Sequence, residues 1–227
     1  MQHDFLSHIT SQQPLPFTSE KSFFLLFFYV QFYFQKDFMF FNLAPRFCMQ
    51  CGSAKVELRV PHGDDRERHM CADCGYIHYL NPKIVVGTLP VWEDKILLCK
   101  RAIEPRYGYW TLPAGFMEEG ETVEEGAARE TLEEANARVV IEQPVVPYVT
   151  LSLPQISQVY MLFLAKLSDL DFSSGPESLE VKLFREDEIP WDQLAFRTID
   201  EALRHFFTDR ITGSFVPHIG EVRHPGK

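Results

Sequence analysis

The stretch Thr122–Asn136 constrains this chain more than any other part of it. Thr122 and Glu125 stand at the S/T-x-x-E spacing of a capping box, in which two orphan amides at a helix start are satisfied reciprocally. The residues between are rich in Glu, Ala and Arg, which favour helix, and Asn136 can take the left-handed conformation that ends one. The sequence therefore predicts a helix over 122–136. Glu130, Glu133 and Glu134 lie three and four residues apart on it, so their carboxylates share a face. Like charges so placed repel by roughly a few tenths of a kcal/mol per pair. They also sit at the end of the macrodipole that disfavours anions. A bare E-x-x-E-E is more often a solvated helix face. A bound cation would remove both penalties, and hard carboxylate oxygens suit Mg²⁺ or Mn²⁺ rather than zinc. Arg129 lies beside the cluster, placed to brace a carboxylate bidentately.

Four of the five cysteines form two Cys-x-x-Cys pairs, Cys48/Cys51 and Cys71/Cys74, separated by nineteen residues. A disulfide scaffold would be shorter and denser in cysteine. Each pair can present two thiolates to one ion, and tetrahedral sulfur ligation suits a structural Zn²⁺, which supplies folding energy to a segment too short for its own core. Redox thiols are the alternative, disfavoured because a redox motif would carry one pair in a βαβ setting. His62, His69 and His78 are then read as surface residues, and Cys99 as a small core hydrophobe.

The formal net charge of −10 makes the chain a poor coat for phosphate backbones. It leaves room for a small phosphate-bearing substrate, because a divalent cation can reverse the local sign. Twelve of the twenty phenylalanines precede Cys48, and Phe23–Phe34 is too short to span a bilayer, which needs roughly 20 apolar residues. It also lacks the flanks of a secretory signal. Residues 1–46 are read as an extension outside the fold: translated upstream sequence before a start at Met39, in preference to a membrane-proximal anchor or a targeting segment. A cytoplasmic location follows, with organellar targeting by that extension left open.

A cysteine module over 47–80 ends at Asn81-Pro82, and a larger domain over 81–210 follows. Ile84–Trp92 and Lys95–Arg101 read as a hairpin about Glu93-Asp94, and Thr111–Ala114 as a short extended piece. Strands are expected at about Val139–Leu151, Ser157–Leu167 and Leu179–Phe184. A second helix is expected from Thr198, capped with Glu201, and the tail 211–227, rich in Gly, Pro and His, is expected to be loose.

The acidic helix belongs to a wider pattern. Gly115, Glu121, Arg129, Glu130, Glu133 and Glu134 resemble, in register, the Nudix box G-x5-E-x7-R-E-U-x-E-E-x-G-U, and Trp110-Thr-Leu-Pro-Ala-Gly115 resembles its flank. Thr131, Asn136 and Ala137 depart from the pattern, at an apolar site, a glycine and a larger aliphatic. The resemblance implies an α/β (α+β) fold, an α/β/α sandwich with a mixed sheet preceded by a small zinc ribbon. It implies that Glu130, Glu133 and Glu134 hold Mg²⁺ and carry catalysis, that Glu121 and Arg129 support them, and that the backbone near Ala114 and Gly115 approaches the metal. A further base or ligand would come from a later loop, with Glu180 the first candidate and Glu177 the second; each is as readily an exposed strand-edge carboxylate. Arg101 is a candidate phosphate contact, although an ordinary surface arginine is slightly favoured.

With the cysteine module in front, residues 46–209 resemble bacterial zinc-ribbon Nudix hydrolases and plant chloroplast FAD and ADP-ribose pyrophosphatases. The implied reaction is hydrolysis of a nucleoside diphosphate linked to another moiety, FAD or ADP-ribose, giving AMP and a second phosphate product. Members of this type are often homodimers. Pro154 lies near the position of a proline associated with ADP-ribose hydrolases. Leu151-Ser-Leu-Pro-Gln-Ile-Ser157 replaces the S-Q-P-W-P-F-P-x-S element of NADH pyrophosphatases, so an NADH or other dinucleotide pyrophosphatase is the alternative enzyme. A non-catalytic nucleotide sensor would usually have lost box carboxylates, and a cap-removing RNA enzyme would carry a basic patch.

Overall fold

A computed structural model describes residues 44–142 and 147–222 of the protein. The readings of the phenylalanine-rich segment up to residue 43, and of the last five residues of the tail, lie outside the described residues. A three-stranded antiparallel sheet comes first, β1 (Val56–Arg59), β2 (Arg68–Cys71) and β3 (Ile77–His78).

The main sheet follows. Strand β4 (Lys83–Trp92) and strand β5 (Lys95–Arg101) form the expected hairpin, with Glu93 at a φ of 56° in the turn. Short strands β6 (Trp110–Thr111) and β7 (Ala114–Phe116) pair with β5 and β4. The helix α1 (Val123–Ala135) comes next, then β8 (Val139–Ile141), β9 (Val149–Leu153), β10 (Gln158–Leu167) and β11 (Ser178–Phe184). Helix α2 (Arg197–Thr212) and β12 (His218–Glu221) complete the domain. The order is β11-β5-β4-β10-β9-β12; β10 runs parallel to β4 and β12 parallel to β9, which makes the sheet mixed.

Alternation along the strands builds two cores. On β5, Ile96 and Leu98 join Phe206, Phe207, Leu203 and Ile199 of α2, while Leu97 and Cys99 face Ala135 of α1. On the α1 side Val86, Ala127 and Phe163 are all fully buried. Helices thus cover both faces, the sandwich expected from the sequence. Burying side chains of this size contributes roughly 1.5–3 kcal/mol each.

Four local expectations are corrected. The run 139–151 is two strands, β8 and β9, both pairing with β10. Helix α2 starts one residue before Thr198 and has no side-chain cap; Thr198 is 1% exposed, so its hydroxyl is turned into the core rather than across the helix end. His78 is buried, not a surface residue. The tail is not loose from residue 211: α2 runs to Thr212 and β12 adds to the edge of β9. Buried Asp209 holds it there, accepting from Tyr148 Oη at 3.0 Å and Val216 N at 3.4 Å, with His218 Nε2 2.8 Å away. Among the described residues no helix is long and apolar enough to cross a membrane.

Candidate active site

Helix α1 is capped as its sequence dictates. Thr122 Oγ1 accepts from Glu125 N at 3.2 Å, and Glu125 Oε2 accepts from Thr122 N at 2.9 Å. At the far end Asn136 adopts φ 47°, ψ 25°, and its N–H donates to Leu132 O at 2.8 Å. Thr131, at an apolar box position, is fully buried yet satisfied: its hydroxyl donates to Ala127 O at 2.8 Å and lies 2.7 Å from Thr88 Oγ1.

Strand β7 lays Ala114 and Gly115 against this helix. A Cβ on Gly115 would lie 2.4 Å from both carboxylate oxygens of Glu130, so only glycine lets that carboxylate meet the backbone. Gly87 on β4 makes a matching approach, where a Cβ would fall 2.4 Å from that of Ala114.

Arg129 organises the rest. Its Nε and Nη2 donate to the two oxygens of Glu121 at 2.9 and 2.8 Å, a bidentate fork. Its Nη1 donates to Glu130 Oε1 at 2.7 Å and Glu133 Oε2 at 3.2 Å, and Nη2 also to Phe116 O at 3.1 Å. These five contacts match the five donors of a guanidinium. Glu121 accepts in addition from Glu118 N at 2.7 Å, and the Arg129 fork holds its carboxyl down at about 2. Glu121 and Arg129 together staple the 116–121 loop to the helix.

The three carboxylates that share a face are not equivalent. Glu134 is 6% exposed and accepts from Ala114 N at 3.3 Å. Burial first, then the charge of Glu130, pushes its carboxyl up to about 8; Ala114 N–H and Arg101 oppose the shift, and Glu177 adds to it. Glu130 is raised too, chiefly by burial, against the pull of Arg129. The Glu133 side chain is 58% exposed. Buried, mutually repelling hard oxygen donors suit a divalent cation, and Glu130, Glu133 and Glu134 are the residues that would hold it. As they stand, Glu130 and Glu133 turn towards Arg129 and Glu134 towards Ala114 N, and among the described residues only the four cysteines converge tightly enough to share one ion.

Arg101 is buried rather than an ordinary surface arginine. Its Nε donates to Pro105 O at 3.0 Å, its guanidinium lies 5.1 Å from the Phe196 ring centroid, and its charge acts on Glu134. Burial pushes Tyr160 up to about 12, the charge of Arg101 opposing the shift and that of Glu134 adding to it. Sequence reasoning passed over Tyr160, since a tyrosine in an apolar strand reads as core. Glu177 precedes β11, exposed, and its charge raises both Glu130 and Glu134. Glu180 is exposed on β11, paired in register with Lys100. Pro154 is exposed and opens the 3₁₀ turn Pro154–Ile156 between β9 and β10.

The four cysteines converge, Cys71 from the end of β2 and the other three from the turns around it. Cys48 Sγ lies 3.6 Å from Cys74 Sγ and Cys51 Sγ 3.6 Å from Cys71 Sγ, and all four sulfurs fall within 4.8 Å of one another. An ion about 2.3 Å from each corner of a tetrahedron separates its sulfurs by about 3.8 Å, whereas a disulfide would hold them at about 2.05 Å. The donor set fits zinc. Each Cys-x-x-Cys is followed by a glycine at positive φ, Gly52 at 74° and Gly75 at 75°, which turns the chain back at each knuckle.

Comparison with known proteins agrees with both halves. Residues 46–80 match the model of the Nudix N-terminal zinc ribbon, and residues 81–207 that of the NUDIX domain. A NUDIX hydrolase from Nitrosomonas europaea, of known structure, is 57% identical and superposes with a TM-score of 0.74 over 78% of this chain and 99% of its own. The NAD-capped RNA hydrolase NudC of Edwardsiella ictaluri is 33% identical over 158 residues, 66% of this chain and 55% of the relative. An ADP-ribose pyrophosphatase of Methanocaldococcus jannaschii is 31% identical over 122 residues, 53% of this chain and 71% of the relative. The chain spans about half the length of the NudC relatives it matches.

Proposed function

Because this chain belongs to the NUDIX domain family, we propose that it hydrolyses the pyrophosphate bond of a nucleoside diphosphate linked to another moiety, FAD or ADP-ribose, to AMP and a second phosphate product. The observation that carries the proposal is buried Glu134 against Ala114 N–H, with Glu130 pressed on Gly115 and both backed by the Arg129 hub. Bound Mg²⁺ or Mn²⁺ would neutralise charge on the diphosphate and make its bound water a stronger acid. Glu130, Glu133 and Glu134 would hold that ion, while Arg129 keeps Glu130 and Glu133 in place. Arg101, buried and close enough to act on Glu134, is suited to a phosphate oxygen of the substrate. Glu177 is the better placed of the two candidate bases, because its charge reaches Glu130 and Glu134. Zinc in the four-cysteine module would be structural.

The M. jannaschii relative's name supports ADP-ribose. A second reading, a nicotinamide dinucleotide, is favoured by the NudC relatives, while the net charge of −10 speaks against a polynucleotide carrier. The test compares kcat/KM for FAD, ADP-ribose, NADH and coenzyme A with Mg²⁺, alongside the Glu134→Gln variant. Preference for FAD or ADP-ribose is expected; turnover retained by the variant would sink the assignment.

A further inference from the structure

Asn136 stands where the box pattern has glycine, and its left-handed backbone accounts only for the helix ending there. Its side chain does something glycine cannot. Nδ2 lies 3.3 Å from Ser173 O, 3.1 Å from Ser174 O and 3.0 Å from Ser173 Oγ. The same segment takes up carbonyls that the end of a helix leaves without partners. Ser173 N donates to Ala135 O at 3.0 Å, and Gly175 N donates to Glu134 O at 2.9 Å. The approach is so close that a Cβ on Gly175 would fall 1.7 Å from Glu133 O, so any larger residue would lift the segment off the helix. Two residues further on is Glu177. Its backbone is fixed in turn, since Ser178 N donates to Gly175 O at 3.1 Å and Ala102 N to Glu177 O at 2.8 Å.

We propose that Asn136 is a positioning residue: its amide clamps residues 173–175 onto the end of α1 and thereby sets where Glu177 stands against Glu130 and Glu134. The catalytic consequence, though not the clamp itself, rests on the hydrolase reading above. Glycine at this position would end the helix equally well but leave the loop held by backbone bonds alone.

The test uses Asn136→Gly, which keeps the left-handed turn, and Asn136→Asp, which keeps the side chain's shape but loses both N–H donors. Hydrogen exchange on the full-length protein is expected to be at least about tenfold faster for amides 173–177 in both variants, with amides 127–132 unchanged. Unchanged exchange at 173–177 overturns the clamp. On the preferred diphosphate substrate, Asn136→Gly is expected to lower kcat about tenfold with KM within about twofold. In an Glu177→Gln background the same change should cost less than about twofold, because coupled residues are not additive. A full tenfold loss repeated in that background, or faster exchange with no loss of kcat, overturns the role towards Glu177. A parent protein inactive on every diphosphate tested would overturn the proposed function, and the exchange data would still decide the clamp.

Discussion

Replacing Glu134 by Gln separates the two demands on this site, because it should stabilise the protein while removing its activity. Burial raises the Glu134 carboxyl from an ordinary 4.5 to about 8 in the metal-free protein. The native state therefore binds more protons than the unfolded chain between those values, and stability falls as pH rises through them. The penalty is absent below about pH 4.5 and complete above about pH 8. At about 1.36 kcal/mol per pH unit the shift corresponds to at most about 5 kcal/mol, and its sharing with Glu130 reduces this to about 2–5 kcal/mol. Glutamine keeps the acceptor for Ala114 N–H and carries no charge. In buffer free of Mg²⁺ and Mn²⁺, and without chelator so that the zinc stays in place, Glu134→Gln should melt roughly 5–15 °C above the parent at pH 8.5. The gap should close towards pH 5. Added Mg²⁺ should raise the parent's Tm and not the variant's. With Mg²⁺ and the preferred substrate, kcat/KM should fall at least about 10³-fold. A variant no more stable than the parent at pH 8.5, or a gap constant with pH, would refute the reasoning that a buried, repelled carboxylate is kept here for a cation.

Three further outcomes are expected. Gly115→Ala puts a methyl 2.4 Å from the Glu130 carboxylate, the free end of a flexible side chain, so the carboxylate should swing away with little change in denaturant melts while kcat/KM falls at least about tenfold; unchanged turnover would show that Glu130 need not meet the backbone here. Arg129→Lys keeps the charge but loses the fork to Glu121, which should cost about 1–3 kcal/mol by the same melts; an unchanged midpoint would show that the staple is not needed. Cys71→Ser should lose one equivalent of zinc by elemental analysis and exchange protection in β1–β3, with the helical circular dichroism of α1 and α2 retained.

What could be read in the sequence were features carried by local spacing. The box from Gly115 to Glu134 stood out because three helical carboxylates, the arginine beside them and the glycine all lie on one loop and one helix, whose period is known in advance. The two Cys-x-x-Cys pairs and the Glu93 turn were legible for the same reason, whereas the positive-φ glycines that follow each pair emerged only with the structure. Where expectations failed, a long-range contact had overridden a local signal. Thr198 has the spacing of a cap but is drawn into the core, and the Gly- and Pro-rich tail is held by Asp209 against β9.

The sequence by itself therefore determined the chemistry available to this protein: three carboxylates in helical register, an arginine to hold them, and four thiolates in two pairs. Only the tertiary structure ranked them. It buried Glu134 and left Glu133 exposed, drew Arg101 and Tyr160 towards Glu134, and turned Asn136 from a helix terminator into a tether for the Glu177 loop. The reason is physical: helical period tells which residues share a face, but not how deeply that face is covered. Depth depends on strands and loops distant in sequence, and burial and distance set the strength of a charge.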